Sequence, residues 1–390
     1  MDALRAIFKR FVAAVFIVGL AIAADASSAA PVGRGHAKGD DRQRHVLVVP
    51  VQYPTIQSAI DAAEPGRLVK VLAGTYVEQL VLRKDVKLVG AGMDETVIRA
   101  PAGLANGRLG ASIVEILDGA KVSISHLSVQ GPGSSACGRG PSLEWGIRVH
   151  SRAHLDLSFS AVRRIHDTPI ASCAGKGTAI AVGEPQPGSP PASLNLHHSE
   201  ISQYQSTGVL VLGAGSWAHI THNSVMGPRP SDGVPTDGIE LVAGAVGTIA
   251  HNTIRDNICP VNLPENCGPD FFTQFQHAGI VAGGNGPGTV ITHNRLINNQ
   301  VGMFLAEADE ISENVMLDSD FFGLALVGVG DGAFTVRGGQ IRGAAGGVWL
   351  TPVAVDMTVL LRNVKLLDLS GPSIQVLQGA PFKATVIRRP

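Results

Sequence analysis

Four ionisable side chains in the middle of the chain have the types needed for acid–base chemistry on a sugar. Asp237 and Glu240 lie close together in sequence, and Asp256 and His277 follow further along. Hydrolysis of a glycosidic bond needs two carboxyl groups that flank the bond, one donating a proton and the other acting as base or nucleophile. We therefore predict that Asp237, Glu240, Asp256 and His277 are catalytic residues.

A second reaction, β-elimination from a uronic acid, would use a different set of groups. It needs a base together with cations that stabilise the enolate. Arg148 or Lys176 could supply that stabilisation together with a Ca²⁺ ion bound by carboxylates. Loop oxygens cannot be assigned as metal ligands from their spacing, so the sequence predicts no metal ligands and leaves Ca²⁺ open as a cofactor.

Seven side chains are predicted to contact a substrate. The charged ones lie in predicted loops or on a predicted outer face, and the aromatic ones could stack on sugar rings. They are Arg148, His166, Asp167, Lys176, Arg229, Phe304 and Trp349.

Several of these side chains also have a purely structural interpretation. Glu240 could be a surface carboxylate paired with a loop cation, and Asp167 could cap backbone amides in a turn. Phe304 and Trp349 could be covered by a loop or contact a partner protein. The sequence leaves these alternatives open.

A repeated element must position these residues, because the same short pattern recurs along the chain. Residues 220–225 (ITHNSV) return as 249–254 and 291–296, and a Gly-apolar-any-apolar segment follows each copy. From Asn294 to Asn314 is 20 residues, and from Ser199 to Asn223 is 24. This period is typical of one coil of a right-handed parallel β-helix, with three short strands per coil. We therefore predict an all-β fold, a single-stranded right-handed parallel β-helix (solenoid) over residues 46–390.

The third residue of each Gly-apolar segment should face outward, because side chains alternate along a strand. Coils stack about 4.8 Å apart, so Arg148 and Glu240, three coils apart, are expected about 14 Å from each other. One oligosaccharide lying along the axis could contact both. The predicted outer stripe consists of Arg148, Ala181, Leu210, Glu240, Val281, Phe304, Ala325 and Trp349.

The recurring asparagines are predicted to be structural rather than catalytic. Asn223, Asn252 and Asn294 occupy the same place in successive repeats. A short polar side chain at a turn can bond to the backbone and to its counterpart in the next coil. We therefore expect an asparagine ladder at one turn.

Four intervals between repeats are longer than one coil, and the surplus falls mainly before the Gly-apolar segments. The insertions should therefore emerge at one turn of successive coils and build a wall beside one sheet. Repeat proteins often place their functional face there. The four cysteines lie in these insertions, and their proximity predicts the disulfides Cys137–Cys173 and Cys259–Cys267.

The N-terminal residues predict export and then the start of the solenoid. A basic start and an apolar run at residues 11–24 predict a signal peptide over residues 1–26, and residues 27–45 a disordered linker. The run is shorter than the ~20 residues that span a bilayer, so no stable membrane insertion is expected after cleavage. Thr55 and the apolar face of residues 56–63 predict a capping helix over the first coil. The expected location is secreted or periplasmic.

Composition narrows the class of partner. The chain has 31 Lys and Arg against 32 Asp and Glu, and this balance argues against nucleic acid. Its 47 Gly and 23 Pro suit short strands joined by tight turns, and its 45% hydrophobic content permits a large core. The predicted partner is a polysaccharide or oligosaccharide, and the oligomeric state is not predicted.

Three stretches resemble the pectin-lyase-like superfamily of right-handed β-helices. They are residues 53–63 (YPTIQSAIDAA), 74–82 (GTYVEQLVL) and 88–92 (LVGAG). The middle repeats are similar to those of carbohydrate-binding and sugar-hydrolase β-helix proteins. The resemblance covers about residues 46 to 387 and implies the fold, but this superfamily includes lyases, hydrolases, epimerases, esterases and proteins with no known activity.

The motifs of polygalacturonases are matched in part. Residues 236–238 (TDG) match part of an Asn-Thr-Asp-Gly motif, Asp256 stands where an Asp pair would be, and His277 stands where the family has a histidine. The Arg-Ile-Lys motif of that family is absent. The resemblance therefore does not determine the reaction.

Two functions from different classes follow from this reading. The first is an exported polysaccharide-active enzyme, a glycan lyase, hydrolase or epimerase, that binds an oligosaccharide along the solenoid groove. The second is a non-catalytic exported β-helix that binds glycan or a cell-surface partner. Insertions of mixed charge on adjacent coils favour the enzyme.

Overall fold

The computed structural model describes residues 46–117, 119–133, 141–168, 176–228, 236–258, 277–284 and 288–390. The predicted signal peptide (1–26), the linker (27–45), the four cysteines and Arg229 lie outside these ranges. Within the described ranges, no helix is long and apolar enough to cross a membrane.

The chain folds as a right-handed parallel β-helix, as predicted. Each complete coil contributes one strand to each of three parallel sheets, named A, B and C in the order in which the chain passes through them. Sheet A contains β1 (Val46–Val49), β2 (Arg67–Val71), β5 (Val86–Val89), β8 (Lys121–Ser125), β11 (His154–Ser158), β14 (Ser193–His197), β17 (Trp217–Thr221), β20 (Val246–Ala250), β23 (Val290–Thr292), β26 (Glu310–Ser312), β29 (Ala333–Arg337), β32 (Met357–Arg362) and β35 (Ala384–Arg389).

The other two sheets complete the three walls of the solenoid. Sheet B contains β3 (Gly74–Val77), β6 (Thr96–Arg99), β9 (Ser128–Gln130), β12 (Ala161–Arg163), β15 (Glu200–Ser202), β18 (Ser224–Met226), β21 (Thr253–Arg255), β24 (Arg295–Ile297), β27 (Val315–Leu317), β30 (Gln340–Arg342) and β33 (Lys365–Leu367). Sheet C contains β4 (Leu80–Leu82), β7 (Ala111–Ile116), β10 (Leu143–Val149), β13 (Thr178–Val182), β16 (Thr207–Leu212), β19 (Asp237–Val242), β22 (Ala278–Gly283), β25 (Val301–Leu305), β28 (Phe322–Val327), β31 (Gly346–Thr351) and β34 (Ile374–Val376).

The main core fills the space between the three sheets, because alternate residues of each strand point inward. In β11, Leu155 and Leu157 are fully buried, and the residues between them face outward. The strand register pairs them with Leu194 and Leu196 of β14. Apolar side chains therefore stack on apolar side chains from coil to coil, which gives a continuous core.

The two ends of the solenoid differ. The predicted capping helix is α1 (Ile56–Ala62), and Thr55 is its N-cap with a side chain that accepts a hydrogen bond from the Ser58 backbone. Ile56 and Ile60 of this helix are buried against the first coil. At the other end, no helix covers the last coil in the described residues, and several large apolar side chains there are 38–40% exposed. They are Leu367, Val376, Phe382 and Ile387.

The predicted asparagine ladder is confirmed at the turn between sheets A and B. The Nδ2 of each member donates to the Oδ1 of the next at 3.0 Å, and all members are buried. The ladder satisfies polar groups that would otherwise be buried without partners. Its members are Asn223, Asn252, Asn294 and Asn314.

An exposed stack of aromatic rings follows the same turn, one residue before the buried polar ladder. Consecutive ring centroids lie 4.9–5.3 Å apart. Every member has a φ between 47° and 58°, the left-handed region in which non-glycine residues are uncommon. The members are His126, Phe159, His198, His222, His251 and His293.

The long connections of the middle coils join sheet B to sheet C, as predicted. They link β9 to β10, β12 to β13, β18 to β19 and β21 to β22. Parts of all four connections lie outside the described residues. The insertions therefore emerge beside sheet C, whose outer face carries the candidate site.

Candidate active site

The register of sheet C confirms the predicted outer stripe. Its Cα partners run in order through Arg148, Ala181, Leu210, Glu240, Val281, Phe304, Ala325 and Trp349. The stripe also extends one coil further, because Glu115 of β7 pairs with Arg148. The extended stripe therefore carries two carboxylates, Glu115 and Glu240.

Asp237 and Glu240 share the outer face of β19, although they are three positions apart. Gly238 and Ile239 between them are both buried, so the alternation of the strand is interrupted and both carboxylates face outward. A Cβ on Gly238 would lie 2.4 Å from the carbonyl oxygen of Gly279 in the next coil. This close approach requires glycine at position 238, between the two carboxylates.

Each carboxylate of this pair accepts one hydrogen bond from a neighbouring coil. The hydroxyl of Thr207 donates to Oε1 of Glu240 at 2.5 Å. The backbone N–H of Ala278 donates to Oδ1 of Asp237 at 2.7 Å. Within the described part of the chain, no lysine or arginine forms an ion pair with either carboxylate.

Both members of the pair hold protons more tightly than ordinary carboxyl groups. Burial raises the pKa of Asp237 well above its usual range, and the charge of Glu240 raises it further. Burial also raises the pKa of Glu240, although the hydrogen bond from Thr207 opposes the rise. Two carboxylates that share a low-dielectric site cannot readily both ionise.

His277 lies beside this pair, directly before Ala278. Its side chain is fully buried, and its Nδ1 accepts the backbone N–H of Thr236 at 2.8 Å. The proton of the neutral imidazole is then on Nε2, which has no hydrogen-bond partner among the described residues. Burial lowers the pKa of His277 to about 4. His277 is therefore a neutral donor at neutral pH.

Asp256 is placed on a neighbouring turn rather than on the outer face of β19. It follows β21 with a φ of 61°, and its carboxylate accepts a hydrogen bond from Nδ2 of Asn298 at 2.7 Å. Its charge helps to raise the pKa of buried Tyr204, after burial itself and the charge of Asp237. The Tyr204 hydroxyl donates to Oδ1 of Asn257 at 2.5 Å. Asp256 thus belongs to the polar layer near the pair.

Arg148, a predicted substrate contact, lies instead in a buried ionic network on the coils before the pair. Its side chain is almost completely buried, and its Nη2 lies 3.2 Å from Oε2 of Glu184. His150 bridges two carboxylates, with Nδ1 2.8 Å from Glu184 and Nε2 2.9 Å from Glu115. In this structure the Arg148 guanidinium contacts protein groups and does not line an open groove.

The pKa values of the two carboxylates in this network are lowered, whereas those of Asp237 and Glu240 are raised. Burial would raise the pKa of Glu115 and Glu184, but the hydrogen bonds from His150 and the nearby positive charges together hold both below their usual value. Burial likewise opposes a charge on His150, yet the two carboxylates raise its pKa. Burial lowers the pKa of Arg148 to about 10, so it remains charged. The network is a set of paired charges.

The remaining charged residues predicted to bind substrate have protein partners. Asp167 is fully buried, and its Oδ1 accepts the backbone N–H of Leu143 at 3.0 Å, so it caps a backbone amide. His166 contacts the carbonyl oxygen of Asp167 at 2.8 Å through Nδ1. Lys176 forms an ion pair with Glu144. The structure brings none of them into contact with Asp237 or Glu240.

Phe304 and Trp349 lie in a second apolar cluster on the outside of sheet C. Phe304 is 2% exposed and Trp349 is 7% exposed. Trp349 packs edge-to-face on Phe322 with ring centroids 4.6 Å apart. Both rings are covered, which matches the alternative in which they lie beneath other residues rather than stack on sugar.

Sequence reasoning missed several polar residues on this face. Glu115 could have been found, because the segment before it continues the apolar–any–apolar pattern without its glycine. His150 and Glu184 lie just after strands, where no periodicity marks them. Thr207 precedes a repeat glycine and had no distinguishing signal.

A metal site is not evident on this face. In the described ranges, no group of three or more His, Cys, Asp or Glu side chains is arranged to hold a metal ion. Ca²⁺ therefore stays an open cofactor with no ligand set assigned.

Comparison with known proteins gives the fold. No family model matches the chain, and no curated protein matches it. Among solved structures, the Dettilon tailspike protein is 14% identical with a TM-score of 0.54, covering 89% of this chain and 69% of the tailspike chain. The Agl-KA catalytic domain is 13% identical with a TM-score of 0.51, covering 91% of this chain and 70% of that domain.

An alginate lyase from a Paenibacillus species is also similar, at 13% identity and a TM-score of 0.50. The match covers 84% of this chain and 95% of the lyase. At these identities the likeness shows the fold alone. It agrees with the parallel β-helix fold that the sequence predicts.

Proposed function

We propose that the protein is an exported polysaccharide-active enzyme, a glycan lyase, hydrolase or epimerase, with Asp237 and Glu240 as its acid and base. One observation carries this proposal: the two carboxylates share the outer face of β19, and burial raises the pKa of both without a described cation to offset it. Such a pair resists ionisation of both members, because a second negative charge is disfavoured beside the first. It therefore offers an acid and a base side by side.

Each member of the site has a role in this proposal. Asp237 keeps its proton and donates it to a leaving or bridging sugar oxygen. Glu240, oriented by the hydroxyl of Thr207, is ionised and acts as a base on water or on a sugar C–H, or as a nucleophile. His277 is a positioning residue in this proposal: its Nδ1 accepts the backbone N–H of Thr236, next to Asp237, while its own Nε2 is buried away from a ligand.

The proposed substrate class, a polysaccharide, follows from the position of the Asp237–Glu240 pair on sheet C. A long parallel sheet with insertions beside it can accept an extended polymer. The similar folds include one protein named an alginate lyase and one named a catalytic domain. Binding of an oligosaccharide along sheet C, and export, are parts of this proposal.

The test is the variant Glu240→Gln, which keeps the size and hydrogen-bonding capacity of the side chain. Wild-type protein is first screened on uronate and neutral polysaccharides, reading unsaturated products by ultraviolet absorbance and reducing ends in parallel. We expect Glu240→Gln to lower turnover by about 10² to 10⁴, the usual effect of losing an acid–base group. Glu95→Gln, which changes an exposed carboxylate far from the pair, is the matched control.

Full turnover by Glu240→Gln would overturn the role of this pair. Glycan binding by wild-type protein without any conversion would favour the alternative of a non-catalytic glycan-binding β-helix.

A further inference from the structure

Two consecutive histidines at the edge of sheet A direct ring nitrogens at each other. His197 is the last residue of β14 and lies on its outer face, and His198 follows at the turn with a φ of 52°. Consecutive side chains of a strand point to opposite faces, but the left-handed conformation of His198 turns its ring outward as well. The two Nδ1 atoms therefore lie 3.2 Å apart.

This separation matches the distance between two nitrogens that bind the same metal ion. Imidazole nitrogens lie about 2.0–2.1 Å from Zn²⁺, so two of them are about 3.3 Å apart at the tetrahedral angle. At the right angle found in square-planar Cu²⁺ and Ni²⁺ sites, the same bond lengths place them about 2.9 Å apart. The same contact can be a hydrogen bond, and the surroundings of the two rings favour a metal ion.

A carboxylate lies behind His197. Its Nε2 is 3.7 Å from Oδ1 of Asp156, which lies on the neighbouring strand β11. Histidines that bind a metal ion commonly direct their second nitrogen at a carboxylate, which fixes the orientation of the ring and its tautomer. With both Nδ1 atoms on a metal ion, the ring proton of His197 is on Nε2 and faces Asp156.

Aromatic neighbours hold the two rings in place. The ring of His198 lies between those of Phe159 and His222, with centroids 5.1 Å and 5.2 Å away. Phe159 also contacts the ring of His197, with centroids 5.9 Å apart and the planes at 88°. Rings that are already ordered lose less conformational entropy when they bind a ligand. Because His198 is exposed, an ion in solution can reach the pair.

We propose that His197 and His198 bind one divalent transition-metal ion through their Nδ1 atoms, and that Asp156 positions the ring of His197. Water fills the coordination positions that the two histidines leave open. Cu²⁺ should bind more tightly than Ni²⁺ or Zn²⁺, as it does at nitrogen ligands in general. The pair lies on sheet A, whereas the proposed acid and base lie on sheet C, so this inference does not depend on the proposed function.

The test titrates the full chain with Cu²⁺ by calorimetry at about pH 7.5, where imidazoles are neutral and able to bind metal. Electron paramagnetic resonance of the copper-loaded protein should show coupling to imidazole nitrogens. His197→Gln and His198→Asn should each weaken binding by about tenfold or more, and Asp156→Asn by about 10- to 100-fold. Asparagine is chosen at position 198 because it tolerates the left-handed conformation.

His293→Asn is the matched control. It removes another exposed histidine of the same aromatic stack, in the same left-handed conformation with a φ of 54°, and should leave Cu²⁺ binding unchanged.

The outcomes separate a metal site from a hydrogen bond between the rings. Absence of Cu²⁺ binding in the wild type, or wild-type affinity in both His197→Gln and His198→Asn, would overturn the inference. An equal loss of affinity in His293→Asn would place the ion elsewhere in the stack and overturn it too. Circular dichroism checks that each variant is folded. Asp156→Asn changes neither ligand, so its loss of affinity gives the same reading if a histidine variant fails to fold.

Discussion

Sheet C carries two pairs of carboxylates on one outer face, and they differ in what surrounds them. Glu115 and Glu184 are bonded to His150 and Arg148, and their pKa values are lowered. Asp237 and Glu240 have hydrogen bonds but no described cationic partner, and their pKa values are raised. The direction of the pKa shift therefore follows the described partners: it is downward where a cation is bonded to the carboxylate and upward where none is.

The difference in partners predicts different roles for the two regions, one in the stability of the fold and the other in proton transfer. Paired buried charges stabilise a fold only as a set, because removing one member leaves another uncompensated. An unpaired, proton-holding carboxyl pair costs stability but can exchange a proton with a ligand. The first region should therefore respond to mutation through stability, and the second through turnover.

The largest change in stability is expected from Glu184→Gln. The substitution removes the charge that faces both Arg148 and His150, so two buried cations lose their shared partner. Breaking a buried ion pair in this way costs about 3–5 kcal/mol. Chemical denaturation followed by circular dichroism measures the loss. The exposed Glu95→Gln variant should stay within about 0.5 kcal/mol of wild type, and a similar loss in both variants would remove the distinction.

The pH dependence of stability should reveal the two regions separately. The pKa of His150 is raised, so the stability it contributes is complete below its usual 6.5 and is lost as the pH rises through the raised value. The pKa values of Glu115 and Glu184 are lowered, so their contribution is present above about 4.5 and is lost as the pH falls. The network should thus stabilise most between those two values.

Urea unfolding at about pH 4, 5.5 and 9 checks this expectation. In His150→Gln the loss of stability between about pH 5.5 and 9 should be smaller than in wild type. An identical slope in both proteins would show that His150 does not carry the effect.

The smallest effect is a gain of stability in Asp237→Asn at alkaline pH. Because the pKa of Asp237 is raised in the folded state, its ionisation costs stability once the pH exceeds its usual value. The amide keeps an oxygen that can accept from Ala278 while removing the charge. We expect a gain of about 0.5–2 kcal/mol at about pH 8, and none at about pH 4.

Thermal unfolding at both pH values measures this gain. Asp331→Asn is the matched control, because Asp331 is exposed and also accepts a backbone N–H, from Ala333. A gain of the same size in the control would show that the effect is not specific to the buried pair.

The fold was predictable because its signals are local and repeated. The Asn ladder, the capping helix and the outward position of Glu240 each followed from residue type and period, and the structure has them all. Once the repeat length is recognised, it predicts which residues of one coil stack on which residues of the next coil.

The chemistry of the site was less predictable because it depends on contacts between coils. Burial of Arg148 and Trp349 comes from packing on the outside of sheet C, which the alternation pattern does not describe. The partners of His150 lie more than thirty residues away in sequence. Proximity of this kind arises only when the coils are stacked.

The unequal ends of the solenoid have a mechanical consequence. Each coil is held mainly by its neighbours, so a solenoid under tension unravels from its weakest end. Within residues 46–390 the weaker end is the last coil, where Leu367 and Ile387 are partly exposed, whereas α1 seals the first. A pulling force on this segment should peel coils from its C-terminal side one after another, each giving a separate extension step. Both carboxylate regions lie in earlier coils, so the segment could lose its final turns and keep both regions intact.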